Sequence, residues 1–281
     1  MNIERVAVVG AGRVGLSLAR ALVHSGCAVT VLGRRPRALA VLPGSVIVEW
    51  DSAIGAADLV MVAVPDDALA AVARTLAHGA VINARHVLLH TSGLHDRSAF
   101  TPLYATGAAL GSWHPLQTFA NPLGEPKAFA DAPAVIEGDA RALSAGRELA
   151  DLLHLRPVIE IAADGKPLYH AGAVFASNYL IVLADVAAKL AREAGAGTAA
   201  AQLYLPLMRR TLANYARGGA AMLTGPISRG DPETIARHLE ALESGERALY
   251  IALGREALRL AVDAGLEART ARTIEALFEN Y

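Results

Sequence analysis

Cysteine is almost absent, because the 281 residues contain only Cys27. A single thiol excludes an internal disulfide framework and a multi-cysteine zinc site, and it suits a reducing compartment. An excess of charge is also missing. Lysine and arginine total 26 against 27 acidic residues, for a formal net charge of −1. No global field therefore draws the chain to a phosphate backbone or an anionic membrane. Long uninterrupted apolar runs are lacking too: the longest, Ala171 to Ala188, contains Asn178 and Asp185 and reads as a buried helix short of a membrane span. The opening MNIERVAVV has no signal-peptide pattern. The expectation is a soluble, cytoplasmic protein with no metal site and neither nucleic acid nor membrane as a partner.

A chain of this length has room for two domains. The first half alternates short apolar runs with helical patterns, the βαβ rhythm of a parallel sheet covered on both faces. Strands are expected at 6–10, 28–32, 45–50, 58–64, 86–91 and 109–114, with two more at 133–138 and 156–161 flanking the amphipathic DARALSAGRELADLL and extending the sheet. From Gly165 onward alanine, leucine and arginine at helical spacing dominate. The expected fold is α/β: an N-terminal Rossmann doubly wound parallel sheet over residues 1–163, then an all-α C-terminal domain over 164–281 for substrate and dimerisation. The apolar helix from Leu168 to Ala191 exceeds what one small domain covers, which predicts a homodimer through the helical domain.

VAVVGAGRVGLSLARAL sets Gly10, Gly12 and Gly15 in GxGxxG spacing between a strand and a helix. The first glycine allows the tight turn, the second the approach of a pyrophosphate, and the third close packing of helix on strand. The helix N-terminus then faces the phosphates, so Ala11, Arg13 and Val14 join the cofactor-binding candidates. An acidic residue about 20 positions on would mark NAD. The second strand runs instead into Gly33, Arg34 and Arg35, whose guanidinium groups suit a 2′-phosphate. NADPH is therefore expected in preference to NADH. Val64 and Pro65 close a strand on the nicotinamide side of the crevice, with Thr91 at the end of the next. Asp66 and Asp67 are expected to cap the following helix and carry no chemistry.

Three segments hold polar groups that a packed core does not require: LLHTSGLHD, GSWHPLQTF and KPLYHAGAVFASN. His90 and His95 read as structural, whereas Ser92 and His114 should open onto the crevice. At 100° per residue Lys166, His170, Ala173 and Ser177 share a narrow helical face, with Asn178 on its shoulder. Burying such groups without partners is costly. Either the stripe faces a polar ligand in a cleft, or it is a polar network stapling helix to sheet.

The order GxGxxG, VPDxAL, HTSG, GSWHPLQTF, KPLYHAGAVFASN, LTGPISRGD resembles the Rossmann-like proteins with domain of unknown function 2520 over nearly the whole chain. It is similar to the 6-phosphogluconate dehydrogenase-like superfamily of NAD(P) oxidoreductases, some relatives being assigned as alternative ketopantoate reductases. The resemblance implies a lysine helix at Lys166, Tyr169 and His170, with the partner amide at His170 or Asn178. It implies a substrate-holding loop at Thr91, Ser92 and Gly93, and a histidine, His114, that meets the reacting hydroxyl. Leu116 and Gln117 depart from the prephenate dehydrogenase pattern there, and Gln117 is kept as a substrate-binding candidate. Arg229, on a loop before the N-cap candidate Asp231, could hold a substrate carboxylate or reach a second subunit.

The resulting expectation is hydride transfer from NADPH to the carbonyl of a small anionic substrate, a 2-oxo acid such as ketopantoate. Lys166 is the favoured general acid, with His114 and His170 as competitors, and Ser92 and Asn178 orienting the oxygen. The alternatives are a prephenate-like or hydroxy-acid dehydrogenase and a non-catalytic NADPH-binding regulatory protein.

Overall fold

The computed structural model describes residues 2–33, 54–79, 81–121 and 127–281. The expected strand at 45–50 and the arginines Arg34 and Arg35 lie outside the described residues. The chain divides into two compact units, Met1–Asn178 and Tyr179–Tyr281.

In the first unit the β-branched runs become strands and the amphipathic runs become the helices that cover them. The elements are β1 (Arg5–Val9), α1 (Arg13–His24), β2 (Ala28–Leu32), β3 (Leu59–Val62), α2 (Asp66–His78), β4 (Val87–His90), a 3₁₀ segment Arg97–Thr106, β5 (Ala109–Pro115), β6 (Ala134–Gly138), α3 (Ala140–Leu152), β7 (Val158–Glu160) and α4 (Lys166–Ala176). They build a seven-stranded sheet in the order β2-β1-β3-β4-β5-β6-β7. Alternation along each strand serves two cores. Val6, Val8, Leu59 and Met61 pack with α1 and α3 residues such as Leu18, Leu22 and Leu149. Ala7, Val9, Val60 and Val62 pack with Leu69 and Leu76 of α2 and with Phe100 and Leu103. Each such leucine or phenylalanine, fully buried, contributes about 1.5–3 kcal/mol. This is the doubly wound arrangement the sequence predicts.

One strand departs from the all-parallel expectation. β6 pairs antiparallel with β5, placing Glu137 directly opposite Ser112 and Ile136 opposite Trp113, while β7 is parallel to β6. A parallel pair needs a crossover of a dozen or more residues, usually helical. Among the described residues between Pro115 and Ala134 there is only a turn, so the chain doubles back instead.

The second unit is helical. α5 (Asn178–Ala191) leads into it, followed by α6 (Leu205–Gly218), α7 (Pro232–Ala241), α8 (Ser244–Asp263) and α9 (Ala268–Glu279). Its core joins Ile235, Leu239, Leu258, Ile274 and Phe278 from the last three helices. Asp231 caps α7 as expected, accepting from the Thr234 amide at 3.1 Å and its hydroxyl at 2.8 Å. Lys189 ties α5 to Glu246 on α8. α6 has no buried residue.

The apolar helical run also differs from its expectation. By length and mean hydropathy (1.6) Ala163–Leu203 is sufficient to cross a membrane, and little of it is buried. It is not one continuous helix, because Ser177, with φ −120°, breaks it between α4 and α5. Leu168, Phe175 and Ile181 are exposed rather than buried.

Candidate functional site

The glycine turn has the geometry its spacing requires. Gly10 has φ +117°, and a Cβ there would lie 2.2 Å from the Ala63 carbonyl oxygen; one on Gly15 would lie 2.0 Å from that of Gly10. Only glycine brings β1, β3 and α1 this close. At Gly12 a Cβ would meet nothing within 4 Å, so the backbone faces open space. Gly12 is the N-cap of α1, which has no side-chain cap and no acidic residue in its first turn. The free amides of that turn are thus left for an anion. These observations fit a dinucleotide pyrophosphate. Ala11, Val14 and Gly33 are half-buried and Arg13 exposed around the same turn. Val64 and Pro65 close β3, and the Thr91 amide donates to Val62 O at 3.0 Å after β4. Asp66 and Asp67 lie in the first turn of α2, whose N-cap is Pro65, and make no capping bond. Their capping role is therefore corrected to a favourable charge at the helix N-terminus.

The carboxyl ends of β4 and β5 carry the polar cluster. His114, half-buried at the end of β5, has its Nδ1 2.7 Å from the Tyr169 hydroxyl of α4. The His170 ring stands edge-on to it with centroids 6.1 Å apart. Gly93 makes room for both imidazoles: a Cβ there would lie 2.6 Å from His170 Cδ2 and 3.0 Å from His114 Nε2. Burial first, then the Lys166 charge and His170, bring the His114 pKa down to about 4. Burial raises that of Tyr169 to about 12. At neutral pH the imidazole is uncharged and the phenol keeps its proton. With the phenol donating to Nδ1, the imidazole proton sits on Nε2, beside the room that Gly93 leaves.

Lys166 does not stand where the cleft reading puts it. It is fully buried, 0% exposed, and its ammonium donates to the Ser112 hydroxyl at 2.6 Å and the Ser92 carbonyl at 3.1 Å. The stapling alternative is the one realised, because α4 turns this end of its stripe onto the sheet. Burial lowers the Lys166 pKa to about 8 against the opposing pull of Glu137, Asp96 and Asp66, so it remains mostly cationic at neutral pH.

Ser92 also differs from expectation. Its buried hydroxyl accepts from the Leu94 and His95 amides at 3.2 and 3.0 Å. It is used to shape the loop, and the residue meets Lys166 through its carbonyl. His90 is structural as expected, with Nε2 2.9 Å from Asp96 O, and burial holds its pKa at about 4. Asn178 is exposed beyond the Ser177 break, which takes it off the helical stripe. Gln117 is exposed just past β5, its Oε1 accepting from the Thr118 amide at 2.8 Å. Arg229 is exposed at the end of the one-turn helix Pro226–Arg229 of the second unit.

Two residues of this neighbourhood escape the sequence reading. Ser112 lies in the GSWHPLQTF segment, and Glu137 in the apolar run of β6, 6% exposed. The Glu137 Oε2 accepts from the Arg97 amide at 2.8 Å and from the Ser112 hydroxyl at 3.4 Å. No spacing rule links the two, since they meet only through antiparallel pairing.

Comparison with known proteins agrees with this architecture. Residues 2–115 match the family described as a Rossmann-like domain, and residues 132–257 match the domain of unknown function DUF2520. No curated protein matches. Among solved structures, protein TM1727 from Thermotoga maritima is 23% identical with a TM-score of 0.69, covering 92% of this chain and 99% of its own. BF3122 from Bacteroides fragilis, provisionally described as an NADP oxidoreductase, is 22% identical with a TM-score of 0.71, over 92% and 98%. An imine reductase from Pseudomonas sp. is 19% identical with a TM-score of 0.60, over 98% and 93%. At these identities the likeness is one of fold. The chain thus joins a region that matches a Rossmann-like domain to a second, residues 132–257, that matches DUF2520.

Proposed function

We propose that the protein is an NADPH-dependent oxidoreductase that transfers hydride to the carbonyl carbon of a small anionic substrate, a 2-oxo acid, with ketopantoate the first to test. The observation that carries this reading is the hydrogen-bonded His114–Tyr169 pair at the carboxyl end of β5, in the same unit as the Gly10–Gly15 turn. Open α/β sheets bind their ligands at this edge. The fold is shared with a protein described as an NADP oxidoreductase and with an imine reductase.

In this reading Gly10, Gly12, Gly15 and the first turn of α1 hold the pyrophosphate, and Arg34 and Arg35 select the 2′-phosphate. The bound cofactor supplies the hydride. His114 Nε2–H donates to the substrate oxygen, where negative charge develops as the carbonyl is reduced. The alkoxide takes the Nε2 proton while the Tyr169 phenol passes its own to Nδ1. The net donor is then a phenol whose pKa of about 12 approaches that of an alkoxide. Solvent restores the phenol proton, since Tyr169 is half-exposed. Lys166, held as a cation beneath the loop, favours the anionic product without touching it. These steps replace Lys166 by His114 as the group meeting substrate.

The test is NADPH absorbance against a panel of 2-oxo acids, together with cyclic imines and, in the oxidising direction, prephenate and hydroxy acids. Acceleration by a 2-oxo acid, lost in His114→Ala, supports the reading. Tight NADPH binding with no carbonyl turned over favours a regulatory protein. Replacing Arg34 and Arg35 by alanine should raise KM for NADPH while leaving that for NADH.

We also infer that a second copy of the chain covers the outer faces of α5 and α6. Ile181 is 71% exposed, and Leu207, Leu212 and Tyr215 are more than half exposed. A lone 14-residue helix without a packed face is marginal in water.

A further inference from the structure

Lys166 is a buried cation, and a buried cation needs a counter-charge. Its hydrogen bonds do not supply one, because Ser92 offers a carbonyl and Ser112 a hydroxyl. Three carboxylates act on it through space: Glu137 most strongly, then Asp96 and Asp66. Asp66 is exposed and Asp96 half-exposed, so water screens both. Glu137 is 6% exposed and sits one hydroxyl away, its Oε2 taking the Ser112 proton at 3.4 Å while Ser112 Oγ accepts from Lys166 Nζ at 2.6 Å. The Arg97 amide fixes the same carboxylate oxygen at 2.8 Å. Arg97 itself is turned outward to pair with Asp139, which leaves the Glu137 charge for Lys166. The other ionisable neighbours, His90 and His114, are uncharged imidazoles, the first bonded to the Asp96 carbonyl and the second paired with the Tyr169 hydroxyl.

We propose that Glu137 is a positioning residue of the site: through the Ser112 hydroxyl it holds Lys166 in its charged state beside the His114–Tyr169 pair. Glu137 touches neither substrate nor cofactor. It determines whether the cation that favours the developing oxyanion survives at working pH. The catalytic part of this inference rests on the oxidoreductase reading above, whereas the electrostatic part does not.

Glu137→Gln keeps the volume and the acceptor for the Arg97 amide and removes only the charge. Loss of an opposite charge at this range should lower the pH at which Lys166 deprotonates by about one to three units. NMR titration of the Lys166 side chain reads this directly in the full-length protein without any substrate. Ser112→Ala should shift it in the same direction, and Glu137→Asp should retain most of the parent value. In turnover, the alkaline limb near pH 8 should move to lower pH in Glu137→Gln, with kcat at pH 8 falling about fivefold or more. KM for NADPH should stay unchanged. If Lys166 titrates at the same pH in parent and Glu137→Gln, the inference is overturned. If Glu137→Gln does not fold, Ser112→Ala carries the same comparison, and an unshifted titration there overturns it equally. Failure of the function reading looks different: the parent turns over no carbonyl compound while the Lys166 titration still shifts.

Discussion

The Tyr169 hydroxyl lies 2.7 Å from His114 Nδ1, joining the first turns of α4 to the end of β5. With the phenol donating, the imidazole carries its proton on Nε2 and the phenol proton stands behind it. Tyr169→Phe removes the hydroxyl and little volume, so kcat for carbonyl reduction should fall about 10²-fold or more, with NADPH affinity retained. Steady-state kinetics with cofactor titration by fluorescence decides it, and parent-like kcat would rule out the relay.

Gly93 is a matter of space. An added methyl would come within 2.6 Å of His170 and 3.0 Å of His114. Gly93→Ala should push both imidazoles aside and cut kcat about tenfold or more, since small misplacements at the reacting centre are costly. Thermal melting should change little by comparison. A large loss of stability with normal turnover of the folded fraction would contradict this account.

Gly10→Ala should be far more damaging to the fold. The backbone is at φ +117° and the new methyl would meet the Ala63 carbonyl oxygen at 2.2 Å. Backbone strain alone costs about 1–3 kcal/mol, before the displacement of β3. A fall in denaturation midpoint, accompanied by loss of NADPH binding, is the expected result.

Acid should destabilise the protein through His90. Its folded pKa of about 4 lies below the ordinary histidine value near 6.5. The stabilisation it contributes is therefore present above pH 6.5 and is lost as pH falls through 4. The whole difference amounts to about 3 kcal/mol at 1.36 kcal/mol per unit. Urea midpoints for the parent should drop across this window, and His90→Gln should flatten part of that slope. Identical slopes in parent and variant would show that His90 is not the group responsible.

The exposed apolar face of α6 makes a prediction about assembly. Leu207→Glu with Leu212→Glu should convert a dimer into monomer in light scattering at micromolar concentration, because both side chains are more than half exposed in one chain. A monomeric parent would refute the inferred second copy.

Much of the first unit was legible because its signals are local. Strand periods, the glycine turn at Gly10–Gly15 and the amphipathic α3 all depend on neighbours in sequence. The polar stripe at Lys166 and His170 was legible as a stripe, but helical spacing fixes relative directions and not which end faces the sheet. The break at Ser177 carries no proline or glycine to announce it. Glu137 was unreadable for a different reason: within PAVIEG it is one acid in a buried strand, and its partner Ser112 is chosen by strand direction, which no short motif encodes.

The reversed course of β6 leaves the chemistry open to a one-step frameshift. Because alternate residues of a strand face opposite ways, deleting Ala134 with the start of the strand held in place would set the carboxylate opposite Trp113 in the greasy layer and bring Gly138 opposite Ser112. Lys166 would then lose its counter-ion with every atom of the turn at Gly93 untouched. Length variation in this stretch should accordingly come in pairs of residues or be confined to the connection preceding the strand.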